Sequence, residues 1–500
     1  MYQGTSNKSR LIIPLIALLF FSQSYQRLVY GQEISEAQRL NELRRLRDEI
    51  RLSDSLRSAD VTVVMGERMI TNAARQLVGL QILMSNGGIL QLTSIECELK
   101  PAAAVVKIGV QAKSTVSVNL LLTGRLGTGE MRDDVFQVPF RITNVDLTNG
   151  PFTSLFLKTF LGSWLSPKKW NDELPPLEIP LEIAEAMQIR ASRFNVEASP
   201  PMEISTPDYR SQLRFHISSL LVLDKRLALG LQMVQGPGPA GDGENVLRTS
   251  FPGSQDYDLP ALENEVARLS ENLASNSDLR LRLNRRVISR LLEQIAVAHG
   301  NDFSISLKPG RVRTEEVDTL VRVLNYTDVE GGQGQADVRH LSIARIAEGS
   351  LDLRLSIQGE VDARLRGREY GVPYRLSPHT TFSIEDRIVP LQTISEGERI
   401  VMRAVPGASL PINLRFSVKI AGRNVGINRT ATVQIDRWLN RIEIPSFFGR
   451  EFSLPVRLEV DAGGNLYVTR KQKINFRLSK MRVDANDDAI NMTADVTFSR

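Results

Sequence analysis

The chain has 500 residues, 42% apolar and 24% charged, a composition typical of globular proteins that excludes a disordered chain. This length exceeds what one hydrophobic core usually supports, so we expect two or more domains. The 62 Lys and Arg outnumber the 57 Asp and Glu by only +5, spread along the chain. That balance argues against a dedicated nucleic-acid binder but leaves room for mild attraction to anionic surfaces.

The N-terminus has the pattern of an export signal. Lys8 and Arg10 precede the apolar run "LIIPLIALLFF", eleven residues that are too few to span a bilayer and typical of a secretory signal peptide. We expect residues 1–31 to be this signal, with an uncleaved N-terminal anchor as the alternative. Either way the protein would be exported, and we expect it in the periplasm or cell envelope.

The single cysteine, Cys97, limits the ways in which an exported protein can be stabilised. It excludes an internal disulfide and any cysteine-based metal site. Its strand pattern "SIECEL" favours a small buried side chain. An exported chain without disulfides fits a large bacterial envelope protein better than a small extracellular module.

Two charged amphipathic helices are predicted outside the main modules. The first lies within residues 32–58, and the second follows a Gly/Pro-rich linker within residues 236–275. Leucines spaced by three and four residues suit a short coiled coil, which would make the protein oligomeric. The interpretation that we favour is that each helix packs on its own module.

The remaining chain contains two similar modules, predicted at residues 59–235 and 276–500. "DVTVVMGERMI" near the start of the first matches "DLRLRLNRRVI" in the second, and Asp60 corresponds to Asp278 at an offset of 218 residues. In each copy an alternating strand leads into an amphipathic helix. A Trp-Leu pair recurs later in both modules, at Trp164 and Trp438, which supports an internal duplication.

An aromatic segment of the first module, "PFTSLFLKTFLGSWLSPKKW", could contact a membrane interface, because aromatic residues are followed there by lysines. A core helix is the more frequent outcome for such a pattern. The membrane-contact candidates are Phe156, Phe160, Trp164, Lys168, Lys169 and Trp170.

Most other segments alternate apolar and polar residues, as in "SLPINLRFSVKI" (409–420), which predicts antiparallel strands with one face in water. We therefore predict an α+β fold of two duplicated modules, each with an amphipathic helix against a long, curved antiparallel sheet. With so few helices, each sheet must pack on another sheet or curl around its helix. Curling would leave an apolar groove. The helix residues expected to line or plug it are Ile70, Ala74, Leu77, Ile288, Leu292 and Ile295.

No pattern indicates catalysis. The four histidines are dispersed, and none has metal-ligand spacing with another ligand. Gly236, Gly238 and Gly241 satisfy a dinucleotide-binding spacing, but the intervening prolines remove amide donors and no helix follows. The stretch "DANDDAINMTAD" has Ala489 where a calcium loop needs glycine. We expect no enzyme activity, no cofactor and no metal.

Two tandem modules of this kind in an exported chain resemble the tubular lipid-binding (TULIP) superfamily, over about residues 60–500 and in bacterial envelope form. The resemblance is one of architecture, since that superfamily has almost no signature residues. It implies binding or transfer of lipid, or another apolar molecule, with peripheral membrane contact and no nucleic acid partner. The alternative is an envelope scaffold with closed β-modules that oligomerises through its charged helices.

Overall fold

The computed structural model describes a large part of the chain. The described residues are 39–41, 43–44, 46–47, 59–83, 88–113, 117–126, 130–132, 135–138, 140–148, 166–168, 171, 177–180, 182–189, 192–196, 201–206, 209–233, 259–271, 277–298, 303–318, 322–396, 399–420, 423–438, 442–444, 451–460, 466–486 and 488–499.

Strands dominate the fold, and the predicted α+β class is wrong. Within the described residues the structure is 75% strand and 14% helix. The physical reason is that the apolar faces of two large sheets contribute to one continuous core, so sheet covers sheet and few helices are needed. The predicted antiparallel pairing is confirmed for nearly every strand pair, the exception being one short parallel pair.

The strands are numbered in chain order. Those of the first half are β1 (Val61–Gly66), β2 (Gln81–Leu83), β3 (Ile89–Lys100), β4 (Ala103–Lys113), β5 (Ser117–Leu126), β6 (Glu130–Arg132), β7 (Val135–Val138), β8 (Phe140–Leu147), β9 (Leu177–Pro180), β10 (Glu182–Ile189), β11 (Ser192–Val196), β12 (Met202–Thr206), β13 (Tyr209–Leu223) and β14 (Arg226–Met233). Those of the second half are β15 (Leu279–Asn284), β16 (Phe303–Leu307), β17 (Gly310–Asp318), β18 (Arg322–Ala347), β19 (Ser350–Glu369), β20 (Val372–Leu376), β21 (His379–Glu396), β22 (Arg399–Ala404), β23 (Ser409–Ile420), β24 (Arg423–Gln434), β25 (Ile442–Ile444), β26 (Glu451–Val460), β27 (Leu466–Asn486) and β28 (Ala489–Ser499).

The helices with defined bounds in the described residues are α1 (Glu67–Arg75), α2 (Leu259–Glu271), α3 (Arg285–Ala298) and α4 (Ile435–Trp438). Described residues between 39 and 47, and residues 167, 168 and 171, are also helical. Both α1 and α3 directly follow an alternating strand, as the sequence pattern predicts. Gly66, at the first of these junctions, has an ordinary extended conformation (φ −75°, ψ 150°), so the junction does not use the conformational freedom of glycine.

The first sheet draws strands from both predicted modules. Its 13 strands lie in the order β10-β13-β14-β1-β15-β28-β27-β26-β2-β3-β4-β5-β8. Its fourth and fifth strands, β1 and β15, pair antiparallel, and Val63 faces Leu281, its counterpart at the offset of 218 residues. Since the sheet runs through both modules, the division at residues 236–275 stays a sequence prediction.

Equivalent aspartates stabilise the joint between β1 and β15 on each side. The carboxylate of Asp60 accepts the N–H of Met233 at 2.8 Å, and that of Asp278 accepts the N–H of Val496 at 3.0 Å. Their backbone carbonyls accept the N–H groups of Asn284 and Gly66, at 2.9 and 2.7 Å. Both aspartates are buried, so these contacts satisfy backbone donors that water does not reach.

The second sheet contains the longest strand, β18, of 26 residues. Its strands follow the order β11-β12-β16-β18-β19-β21-β22-β25, with β17 paired to β18 and β20 paired to β19. The pairing of β18 with β19 shifts register three times, and such bulges bend a sheet. Strands β23 and β24 form a separate two-stranded hairpin, and β6, β7 and β9 form a small third sheet.

The two charged helical segments pack against the back of the first sheet. Leu43 and Leu46 from the first, with Leu262 and Val266 from α2, are fully buried in a small second core against strand residues such as Leu223. The Arg39 guanidinium donates to the Glu263 carboxylate at 3.1 Å, joining the two segments. Their apolar residues are therefore used within one chain. Because the strand residues of this second core all lie in the first predicted module, the prediction that each helix packs on its own module is wrong for α2.

Candidate apolar cavity

An apolar cavity lies against the second sheet, and the pairing of its strands builds the floor. Phe303 of β16 pairs with Ala336 of β18, which pairs with Gly359 of β19, which in turn pairs with Phe382 of β21. The neighbouring row places Val338 beside Ile357 and Ile357 beside Ile384. Period-2 alternation makes these side chains share one face. Ile204 and Ile305, paired between β12 and β16, complete the floor.

A glycine shapes this floor. A Cβ atom at Gly359 would lie 2.5 Å from Cε1 of the Phe382 ring, far inside van der Waals contact. The missing side chain lets the Phe382 ring approach β19 closely, and the ring forms part of the cavity wall. Glycine in a strand often marks such a close approach.

The roof of the cavity is the separate hairpin together with α4. Leu410 and Ile412 of β23 and Ile435 of α4 face the cavity, and all three are buried. The Thr380 hydroxyl on β21 donates to the carbonyl of Arg415 on β23 at 2.7 Å. The N–H of Ile435 donates to the carbonyl of Ala408 at 2.8 Å, which fixes α4 to the start of the hairpin.

The cavity is small and entirely apolar. Its volume is about 40 Å³, within about 450 Å³ of unfilled space when the part open to solvent is included. The residues that line it are Ile204, Phe303, Ile305, Ala336, Val338, Ile357, Phe382, Ile384, Leu410, Ile412 and Ile435. Such a lining matches an apolar group in its chemical character.

The helix residues predicted to line a groove are brought together in the main core. Ile70, Ala74, Leu77, Ile288 and Leu292 are each at most 3% exposed. They belong to the same hydrophobic cluster as the cavity residues, yet none of them lines the cavity. Ile295 lies in α3, but its side chain is outside the described part. A role for these residues in ligand binding stays a prediction.

The membrane-contact candidates fall largely beyond the described residues. Phe156, Phe160, Trp164, Lys169 and Trp170 are outside the described residues, as is the predicted signal at residues 1–31. Lys168 is described, as an exposed helical residue. No helix in the described ranges combines the length and apolar character needed to cross a bilayer.

The possible metal ligands and the single cysteine lie outside the cavity lining. Among the described residues, no three His, Cys, Asp or Glu side chains come together in a way that could hold a metal ion. Cys97 is half-buried, and burial, reinforced by the negative charge of Glu67, raises the pKa of its thiol to about 12. The thiol is therefore protonated and unreactive at ordinary pH.

Comparison with known proteins gives no sequence match and a weak structural likeness. No protein-family model and no curated protein sequence matches the chain. A solved structure titled as a lipopolysaccharide binding protein aligns with a TM-score of 0.26 and 12% sequence identity, over 88% of this chain and 100% of that one. A likeness of this size carries no argument about what this chain binds.

Proposed function

We propose that the protein binds the acyl part of a lipid, or an apolar molecule of similar width, in the cavity between the second sheet and the β23–β24 hairpin. The observation that carries the proposal is the lining itself, eleven apolar side chains drawn from six strands and one helix. Natural ligand pockets usually include a few polar groups that orient the guest. A wholly apolar lining favours a hydrocarbon guest.

The binding is non-catalytic, because the lining has no group that could form or break a bond. The absence of enzyme activity and the location in the cell envelope are parts of this proposal. The intramolecular burial of Leu43, Leu46, Leu262 and Val266 speaks against the oligomerising scaffold, since the same side chains cannot also form an intermolecular seam.

A guest has to widen the cavity. An engineered cavity of about 150 Å³ accepts benzene, whereas this one measures about 40 Å³. The hairpin is the wall best suited to yield, because it pairs with no other described strand and two-stranded sheets are marginally stable by themselves. We expect an acyl chain to enter by displacing Leu410 and Ile412 outwards while the floor stays in place.

The first test is extraction of the purified protein with organic solvent, followed by mass spectrometry, where we expect co-purified acyl lipid. The second is titration with a fluorescent fatty acid.

Ala336→Val adds two methyl groups to the floor, and we expect the affinity for the fatty acid to fall at least tenfold. Filling a cavity of about 40 Å³ at about 24 cal/mol per Å³ would stabilise the ligand-free protein by up to about 1 kcal/mol.

The matched control is Ala344→Val, which makes the same change on the same strand outside the cavity lining. It should bind the fatty acid like the wild type. If Ala336→Val stabilises the protein and leaves fatty-acid affinity unchanged, the cavity is a packing defect and the proposal is wrong.

A further inference from the structure

A basic face covers the outer side of three neighbouring strands of the first sheet, β15, β28 and β27. The chain between Arg470 and Arg482, "RKQKINFRLSKMR", has six basic and no acidic residues. Alternation in β27 directs Ile474 and Phe476 into the core and leaves Lys471, Lys473 and Arg477 exposed. The basic face is formed by Arg280, Arg282, Lys471, Lys473, Arg477, Lys480 and Arg482.

Few carboxylates offset this charge. On the described strands β15, β27 and β28 the outward carboxylates are Asp484 and Asp495. Asp495 is engaged by Lys480 at 3.0 Å and by Arg68 at 3.6 Å. The hydrogen bond from Lys480 lowers the pKa of Asp495, so this carboxylate stays charged and still leaves an excess of cations. The whole chain carries only +5, so a stretch with six basic and no acidic residues makes this face far more basic than the chain average.

The other outward residues of this face are small and polar, among them Asn475, Thr493 and Thr497. The nearby aromatic rings, Phe476 and Phe498, contact each other on the inner side, with centroids 6.4 Å apart. Among the described side chains of this face there is therefore no aromatic ring of the kind on which proteins stack the bases of single-stranded nucleic acid. None of the face residues named above is a large apolar side chain, so this stretch would rest on a partner surface without inserting into it.

We propose that the basic face docks the protein on an anionic lipid bilayer, through attraction to the phosphates of the headgroups. From Lys471 to Arg482 the stripe runs roughly 35 Å along the strand, long enough to meet several headgroups at once. Each basic side chain close to an anionic membrane strengthens binding about fivefold. The attraction does not depend on the cavity, although docking would bring the protein to a source of the proposed ligand.

The test is sedimentation with unilamellar vesicles of phosphatidylcholine, with and without phosphatidylglycerol. We expect binding only to the anionic vesicles, and its loss at about 1 M salt, where the Debye length is about 3 Å. The triple variant Lys471→Gln, Lys473→Gln, Arg477→Gln should bind anionic vesicles roughly 100-fold more weakly. The matched control removes three exposed arginines of β19, Arg354→Gln, Arg364→Gln and Arg368→Gln, and should bind like the wild type.

Circular dichroism serves as the folding control, and both variants should give the spectrum of the wild type. Equal vesicle binding by the two triple variants would overturn the proposal. It would also be overturned if a short DNA duplex bound more tightly than anionic vesicles and lost this binding in the triple variant of β27. Two measurements distinguish failure of this proposal from failure of the cavity proposal. The Ala336→Val variant should bind anionic vesicles like the wild type, and the triple variant of β27 should bind the fluorescent fatty acid like the wild type.

Discussion

Replacing Asp278 by alanine tests what stabilises the joint between β1 and β15 in the first sheet. The buried carboxylate of Asp278 accepts the N–H of Val496 at 3.0 Å and the Nε–H of Arg68 at 2.7 Å. Its removal leaves a buried N–H without an acceptor, which costs about 1 to 3 kcal/mol. Arg68 is 65% exposed, so its ion pair adds less than about 1 kcal/mol. We expect Asp278→Ala to lower the free energy of unfolding by about 3 kcal/mol.

The equivalent substitution on the other side of the joint should cost less. Asp60 accepts the buried N–H of Met233 at 2.8 Å, but its nearest arginine nitrogen, in Arg290, is 3.8 Å away. We expect Asp60→Ala to cost about 2 kcal/mol and Arg68→Gln less than about 1 kcal/mol. Urea unfolding followed by circular dichroism measures all three. An effect of Asp278→Ala below about 0.5 kcal/mol, with an unchanged m-value, would refute this account of the joint.

Three further predictions concern other parts of the chain. Because burial raises the pKa of Cys97 to about 12, its thiol should stay protonated below that pH. Iodoacetamide at mildly alkaline pH should therefore modify the native protein far more slowly than the urea-unfolded protein. Equal rates of modification would contradict the burial of the thiol. Gly359→Val should destabilise the protein by more than about 2 kcal/mol, because a Cβ there meets the Phe382 ring, and adding Phe382→Ala should recover part of the loss, as read by thermal unfolding. N-terminal sequencing of the protein from a bacterial periplasmic extract should begin just after Gly31, whereas retention of Met1 in a membrane fraction would favour the anchor.

The sequence predicts local structure well where a pattern is short and periodic. The junctions at Gly66 and Asn284 and the antiparallel pairing follow from alternation and helical spacing. The proportion of helix to strand cannot be predicted from these local patterns, because the core contacts between the two large sheets join strands that are far apart in the chain. The alternating pattern of "SLPINLRFSVKI" does not indicate that its residues form a separate hairpin and do not pair with the large sheets.

The cavity could not be predicted from the sequence either, because the side chains that line it come from segments far apart in the chain. Ile357 and Ile412 belong to segments whose alternation is evident, but their meeting depends on pairings of β18, β19 and β21 and on the hairpin above them. The helix stripes are more conspicuous, yet Ile70 and Ile288 are buried core residues outside the cavity lining. Gly359 is the one local signal, since a glycine in a long alternating strand marks a place where a large ring can approach.

Photo-crosslinking with a fatty acid that carries a diazirine near its methyl end, followed by peptide mapping, tests the central claim most directly. The account predicts label on β21, β23 and α4, at or beside Phe382, Ile412 and Ile435, and little label in Ala336→Val. Label confined to α1 and α3, or to the basic face, or spread without preference, would contradict binding in this cavity.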